Sequence, residues 1–571
     1  MSLIIKRFEI LGKTRETYIL TPNKEWDNLT KPSSIMILRP SADEASVSEL
    51  ITEGLCELGE KYNILFIFPN PCEYGWSTKN SNDYGNDIAF LESINKDISR
   101  GILNGKWGVM NDVHYVIGLD SGVETALEFT ALHPETTAAV ALIGGTKLPE
   151  ISSNDSVAMP SILFNCSDTI VSYYKNINKS DIETPLGTLG TMYTNYINPY
   201  HKVINVNDKK FNKLTDTVMN KIWFDLFYTV RRINTCEKGN ISGRINFENC
   251  HFEKHLDDPS LGDNDGMTHT WLEHVPQCVL DNPSKPVPLL IFSHGAFDNP
   301  MKAADMSKWH EIGEKEGFIT VYPLASNGVN FNLNLDSSLP SDEEYYLALI
   351  KYIKAKYTID SSRVYLSGFS NGAGMSQVMA LLHPELIAAI APIDSMWPYT
   401  FPGPFDQDTF SLENNLRPIT IGLELQKKHN YRMPVWYVYG TREMEYPIYR
   451  GRGQQYQYDA WKQYNNIPVL ETPEKPLETE CSIGVESDTV EVLYPCKQYP
   501  DYKYSIHKFY SSDTHDNYYN FALAHGKAHD VHIVDAELAW QFISIFSRNP
   551  DGSLKQHSKI GNNVKTFYNH L

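Results

Sequence analysis

Two five-residue stretches carry the chemistry that the rest of the chain would have to serve. Gly368-Phe369-Ser370-Asn371-Gly372 and Gly118-Leu119-Asp120-Ser121-Gly122 share the pattern Gly-x-X-x-Gly. Each follows a short β-rich run and opens a helical stretch. A turn that sharp forces its middle residue into a strained backbone conformation and lifts its side chain off the end of the strand. Side chains at the flanking positions would collide with the adjoining strand and helix, which is the physical reason for glycine at both. In the later stretch the presented group is the Ser370 hydroxyl, a nucleophile once a base takes its proton. In the earlier one it is the carboxylate of Asp120.

A serine nucleophile needs a base and an acid that orients the base. After the strand-like run M-P-V-W-Y-V-Y from Met433 comes G-T-R-E, which puts Glu443 just past the strand end, with Glu445 as the alternate. Further on, H-G-K-A-H-D precedes the apolar helix A-E-L-A-W-Q-F-I-S-I-F, and His529 lies in that loop, with His525 and His532 as rivals. The developing oxyanion needs two backbone N–H donors. Asn371, next to the serine, would supply one, and Ala296, after His294-Gly295, the other.

The elements that must position these residues are legible. The runs PLLIFSH, FITVYP, RVYLSG, AAIAPID and PVWYVYG are β-branched and aromatic, as buried parallel strands are. Amphipathic stretches such as DEEYYLALIKYIKAKY separate them. Alternation of this kind predicts an α/β fold with a doubly wound, mostly parallel sheet.

It predicts that sheet twice. H-Y-V-I-G-L-D-S-G-V-E-T-A-L-E-F-T-A-L-H-P-E from His114 matches R-V-Y-L-S-G-F-S-N-G-A-G-M-S-Q-V-M-A-L-L-H-P-E from Arg363. Upstream, S-S-I-M-I-L-R-P from Ser33 mirrors V-P-L-L-I-F-S-H-G from Val287, and G-E-K-Y-N-I-L-F-I-F-P from Gly59 mirrors G-E-K-E-G-F-I-T-V-Y-P from Gly313. Downstream, M-P-S-I-L-F-N from Met159 mirrors M-P-V-W-Y-V-Y-G. Landmarks in one order imply two homologous units, 1–238 and 239–571, joined near the small, polar C-E-K-G-N-I-S-G-R.

The second unit resembles the polyhydroxybutyrate depolymerase-like and feruloyl (acetyl-xylan) esterase-like branch of the α/β-hydrolases. The residues that carry the resemblance are F-S-H-G at 292–295, G-F-I-T-V-Y-P at 317–323, D-S-S-R-V-Y-L-S-G-F-S-N-G at 360–372, Y-G-T-R-E at 439–443, G-K-A-H at 526–529 and W-Q-F at 540–542. The resemblance implies tandem α/β-hydrolase-like domains and a serine esterase with no cofactor and no metal. Ser370 would be the nucleophile and His529, which alone has the family's G-x-x-H spacing, the base. The family's acid is usually Asp; here Glu443 stands in its place. His294, Phe369 and Trp397 would border the substrate, His294 chiefly as a brace for its loop. The same triad serves amide bonds, so a serine peptidase or amidase is the alternative, and a non-catalytic tandem scaffold is the third reading. The intact Ser370, Glu443 and His529 set speaks against the scaffold.

In the first unit Arg39-Pro40 replaces His-Gly, and the only histidines are His114, His133 and His201. His133 matches His383 in the shared L-H-P-E, and His201, in Y-H-K-V-I-N, matches His507 in I-H-K-F-Y-S. None matches His529. The first copy is therefore expected to be degenerate and non-catalytic, with packing or homo-oligomer formation as its work. The competing expectation is an aspartate nucleophile at Asp120.

Two insertions distinguish the second copy. The segment from Ser370 to Met433 is 24 residues longer than that from Asp120 to Met159, and the excess, about 397–430, is rich in aromatics and proline. A lid or substrate wall is expected there, with Trp397, Tyr399 and Phe401 suiting an apolar or aromatic acyl group. A second insertion, about 466–505, holds Cys481 and Cys496, the one cysteine pair worth checking for a bond.

Composition narrows the partners. The 571 residues carry 70 acidic and 50 basic side chains, a formal net charge of −20, which repels a phosphate backbone and disfavours nucleic acid. Eight cysteines form no C-x-x-C pair. The first twenty residues are broken by charges and no run of 18 apolar residues occurs, so neither an export signal nor a membrane span is expected, and the expected location is the cytoplasm. The expected partner is a small or oligomeric ester.

Overall fold

Runs of buried β-branched and aromatic residues become the parallel strands of two sheets with the same strand order. The computed structural model describes residues 1–571 except 24–28, 30–31, 74, 78–85, 100–110, 152–156, 262–266, 403–409, 478–481 and 558–571. It divides into two units, Met1–Asn246 and Phe247–Leu571.

The first sheet is built from β1 (Ser2–Ile10), β2 (Lys13–Thr21), β3 (Ser33–Leu38), β4 (Ile64–Pro69), β5 (His114–Leu119), β6 (Ala139–Ile143), β7 (Ser161–Phe164), β8 (Ile182–Pro185), β9 (Gly190–Thr194) and β10 (Lys202–Val206). Their order across the sheet is β1-β2-β4-β3-β5-β6-β7-β10-β9-β8, and the run from β4 to β10 is parallel. The hairpin of β11 (Val230–Ile233) and β12 (Asn240–Gly243) closes this unit.

The second sheet comprises β13 (Glu253–Asp258), β14 (His269–His274), β15 (Val287–Ser293), β16 (Ile319–Pro323), β17 (Ile359–Phe369), β18 (Ala389–Ile393), β19 (Val435–Gly440), β20 (Thr489–Leu493), β21 (Tyr504–Tyr510) and β22 (Asn517–Ala524). The order β13-β14-β16-β15-β17-β18-β19-β22-β21-β20 repeats the first one strand for strand. β23 (Phe546–Arg548) and β24 (Leu554–Gln556) form the matching hairpin. The expected class, two tandem doubly wound and mostly parallel α/β sheets, is the class observed.

The repeat reaches single side chains. Arg232 on β11 donates to Thr137 O and Ala158 O, and Arg548 on β23 donates to Ile387 O and Arg432 O, the corresponding carbonyls. Each guanidinium thus satisfies carbonyls at the start of the parallel strands that no ladder partner reaches. Arg548→Ala should strip these buried acceptors and cost about 3 kcal/mol, measured as a lower midpoint in chemical denaturation. The shared L-H-P-E is also structural. His133 lies 3.1 Å from Glu92 and His383 lies 2.8 Å from Glu343, so each ties the end of its helix to a neighbouring one. The glutamates Glu343 and Glu385 push His383 up to about 9.

Three sequence expectations change. The segment C-E-K-G-N-I-S-G-R is not a linker but the turn and second strand of the β11–β12 hairpin, so the units divide at 246 rather than 238. A polar, glycine-bearing stretch reads the same in either role. The segment 466–505 is not wholly an insertion, because its hairpin β20–β21 corresponds to β8–β9. His201 does not correspond to His507. It leads into β10, the counterpart of β22, whereas His507 lies within β21. Cys481 lies outside the described residues; Cys496 is buried, and burial pushes its thiol up to about 11. The first insertion contains the helix Leu412–His429, laid against the helix Asn371–Leu382 so closely that a Cβ on Gly422 would meet Leu381 at 2.6 Å. No helix among the described residues is long and apolar enough to cross a membrane.

Candidate active site

Strand order reverses between β15 and β17, and in open parallel sheets ligands bind outside the carboxyl ends of strands at such a point. Ser370 stands there, one residue past β17, with φ 53° and ψ −115°. Its N–H is held by Ile393 O at 2.9 Å. The two glycines are sterically required. A Cβ on Gly368 would lie 2.3 Å from Gly372 O, and one on Gly372 would lie 2.3 Å from Ser293 O and 2.4 Å from His294 O. Helix Asn371–Leu382 begins at once, so its first N–H, that of Asn371, has no intrahelical acceptor. The Asn371 side chain is itself pinned, accepting from Phe331 N–H at 2.7 Å.

The loop after β15 supplies the facing wall. His294 is fully buried; its Nδ1 lies 2.6 Å from Gly295 O, and its Nε2 accepts from Ala325 N–H at 3.0 Å. Both ring nitrogens are thereby used, which fixes a neutral tautomer and the course of the loop. Ala296 follows, half-buried, and its N–H donates to no described residue.

Glu443 and His529 meet beside this crevice. Glu443 Oε1 lies 3.0 Å from His529 Nδ1; the carboxylate is almost wholly buried, whereas the His529 side chain keeps 39% of its surface. The His529 ring packs 4.6 Å from that of Phe369, the residue before Ser370. The Ser370 hydroxyl makes no hydrogen bond to another described residue. Such contacts are often long without substrate and tighten in the complex. The two loops are stitched together by Arg442 N–H to Lys527 O at 3.0 Å and Gly526 N–H to Thr441 Oγ1 at 2.9 Å. Burial disfavours the charged imidazole, but the Glu443 carboxylate and then Asp394 more than offset it, so the His529 pKa lies above its ordinary value.

The rival residues are otherwise engaged. His525 Nε2 lies 2.7 Å from Ser505 Oγ. His532 caps the helix Ile533–Ile543. Glu445 is buried and accepts from Gln454 N–H at the start of helix Gly453–Tyr464. The expected substrate-bordering trio requires correction. His294, Phe369 and Trp397 are 0%, 4% and 1% exposed, so they offer a substrate almost no surface, and His294 keeps only its expected part as a brace for its loop. Aromatic character marked them for an apolar pocket, but packing used it for the core: Trp397 lies against Gly374, and Phe369 against Gly295.

Sequence reasoning missed Asp394 and Lys527. Both are fully buried, and Lys527 Nζ donates to Asp394 Oδ2 at 2.7 Å. The signal was present in the repeat, where A-V-A-L-I-G-G in the first copy becomes A-I-A-P-I-D-S in the second. Ligand atoms of Asp394, Glu443 and His529 lie within 4.8 Å of one another, a spacing compatible with a metal ion. The Lys527 ammonium already compensates Asp394, and a divalent cation beside it would be repelled.

In the first unit the turn persists without its chemistry. Asp120 has φ 48° and is exposed, and a Cβ on Gly122 would lie 2.3 Å from Leu38 O. His114 begins β5, His201 immediately precedes β10, and His133 ends the helix that returns from the turn. All three therefore lie toward the amino edge of the parallel strands, opposite Asp120. Burial pushes His114 down to about 3 and His201 to about 4.

Residues 281–396 match the family described as esterase PHB depolymerase. Among curated proteins, the chain is 30% identical over 142 residues to feruloyl esterase B of Talaromyces stipitatus, spanning 24% of this chain and 38% of that one. It is 33% identical over 141 residues to poly(3-hydroxyalkanoate) depolymerase C of Paucimonas lemoignei, spanning 24% and 33%. The match thus spans about a third of the length of these relatives. Among solved structures, an acetyl xylan esterase from Aspergillus awamori aligns over 51% of this chain and 98% of its own, at 17% identity and a TM-score of 0.37. Through residues 281–396 and the motifs within them, the second unit is similar to the esterase PHB depolymerase family.

Proposed function

We propose that the second unit is a serine esterase that cleaves carboxylic esters through an acyl-enzyme. The observation that supports this is the meeting, at the carboxyl ends of the parallel strands, of a serine on a strained turn and an imidazole–carboxylate pair that packs on the residue before it. Ser370 Oγ attacks the ester carbonyl as His529 Nε2 takes its proton. Glu443 accepts the Nδ1–H, keeps the ring in the right tautomer and stabilises its charged form. The N–H groups of Ala296 and Asn371 hold the oxyanion, each worth about 3 kcal/mol in such sites. Collapse expels the alcohol with the proton from His529, and water releases the acid by the same steps. The relatives are named for feruloyl, acetylxylan and poly(3-hydroxyalkanoate) substrates. Small or oligomeric esters of these kinds are the proposed substrates.

The test is labelling of the whole chain with a fluorophosphonate probe, peptide mapping of the adduct, and hydrolysis of p-nitrophenyl acetate and methyl ferulate. An adduct on Ser370 with turnover of either ester supports the reading, and a folded protein that takes up no probe sinks it.

The first unit is proposed to be non-catalytic. Restoring a serine there should be silent. Asp120→Ser in a Ser370→Ala background is expected to give no adduct and no turnover, since the three histidines of this unit lie at the opposite edge. An adduct on the new serine would show that the first unit retains a base.

A further inference from the structure

The end of β18 poses a question that the proposed mechanism does not answer. Asp394 adopts φ 49°, a left-handed conformation that a non-glycine residue occupies at a cost. The same position in the first unit, one residue past β6, is Gly144 with φ 81°. Both residues make the same backbone bond, Asp394 N–H to Val438 O and Gly144 N–H to Phe164 O. The fold thus accepts glycine there, yet the unit with the serine carries a fully buried aspartate.

Its partners show what the side chain holds. Asp394 Oδ1 accepts from Gly440 N–H at 3.1 Å, the last residue of β19 before the Glu443 loop. Asp394 Oδ2 takes the Lys527 ammonium at 2.7 Å. Lys527 Nζ also reaches Asp530 O at 3.1 Å and Asp535 Oδ2 at 3.4 Å, so it grips the loop on both sides of His529. Asp535 is fixed in turn by Tyr504 OH at 2.6 Å and His532 N–H at 3.0 Å.

We infer that Asp394 and Lys527 are positioning residues for the proposed base: their buried ion pair fastens the His529 loop to the strand ends and sets the charge that the imidazole faces. The inference rests on the esterase reading of the site. A lone buried carboxylate within 4.8 Å of the imidazole would compete with Glu443; the ammonium compensates it and keeps Glu443 as the partner of Nδ1. Burial would strip the proton from Lys527, and Asp394 first and then Asp535 hold it in place. The other titratable groups around these residues are Glu443, Glu445 and the phenols of Tyr437, Tyr439, Tyr502 and Tyr504, which burial keeps neutral.

The test is the rate of fluorophosphonate labelling of Ser370 against pH and probe concentration, in the full chain, for wild type, Asp394→Asn and Asp394→Asn/Lys527→Met. The asparagine keeps an acceptor for Gly440 N–H. The saturating rate is expected to fall at least about tenfold with the half-saturating concentration unchanged, as misplacing a catalytic group does. In Asp394→Asn the acid limb should also move to lower pH, because a negative charge facing His529 is gone while the Lys527 ammonium remains. Rates within twofold of wild type in both variants, with the acid limb of Asp394→Asn unmoved and melting that shows them folded, would overturn the inference. If the double variant does not fold, the single one decides. A wild type that takes up no label overturns the esterase reading instead, so the two failures are distinct.

Discussion

His529→Ala should lower ester turnover by about 10⁴- to 10⁶-fold with KM little changed, because nucleophile and base act as one unit. Ser370→Ala should lose a similar amount, and the double variant no more than the worse of the two singles. The structure gives the reason for this non-additivity. Ser370 has no hydrogen-bond partner among the described residues that could accept its proton. Among the described residues, the imidazole engaged with a carboxylate next to the turn is that of His529, 3.0 Å from Glu443 and packed on Phe369. Residual activity in all three variants should come from the N–H groups of Ala296 and Asn371, which none of them disturbs. Steady-state kcat and KM on p-nitrophenyl acetate, with labelling as a second readout, decide the matter. A loss below tenfold for either single variant, or multiplying losses in the double, would mean that Ser370 and His529 do not work on the same proton.

Glu443→Gln should cost about 10³- to 10⁴-fold in kcat, since an amide can turn its NH₂ toward Nδ1 and select the wrong tautomer. It should also change the pH profile in a definite direction. The base must be neutral to work, and its pKa lies above the ordinary value of about 6.5. The acid limb of kcat/KM for wild type is therefore expected above about 6.5. Burial already disfavours the imidazolium, and Glu443 supplies the largest compensation, so the amide should move that limb to lower pH. Linkage has the same sign. A raised folded-state histidine pKa adds stability that is complete below the unfolded value and is lost as pH rises through the folded one. Glu443→Gln should thus destabilise the protein more at pH 5 than at pH 9. A limb that stays in place would remove Glu443 from its role and return attention to Asp394.

Much of this site could be read from the chain because its constraints are local. A turn that forces φ positive at Ser370 and brings Gly368 and Gly372 within 2.3 Å of backbone oxygens leaves a five-residue signature. Strands buried on both faces appear as continuous apolar runs, and two copies of one topology appear as paired landmarks in one order. Chain order and spacing were enough to nominate Ser370, Glu443, His529, Ala296 and Asn371, and the fold carries all five to one edge of the second sheet.

What the chain did not disclose depends on segments far apart in sequence. Glu445, His525 and His532 stood as the alternates in the sequence, and the fold gives each of them other work, with Gln454, Ser505 and the helix Ile533–Ile543. His294, Phe369 and Trp397 had the right chemistry for a pocket, and packing turned them inward. Asp394 and Lys527 are 133 residues apart, and nothing local announces their pairing. The sequence by itself determined the repeat, the doubly wound parallel class and the turn that presents Ser370, because backbone sterics and hydrophobic burial act residue by residue. Only the tertiary structure decided which polar groups are free and which are spent, because a side chain's charge, tautomer and exposure are set by whatever the rest of the fold packs against it.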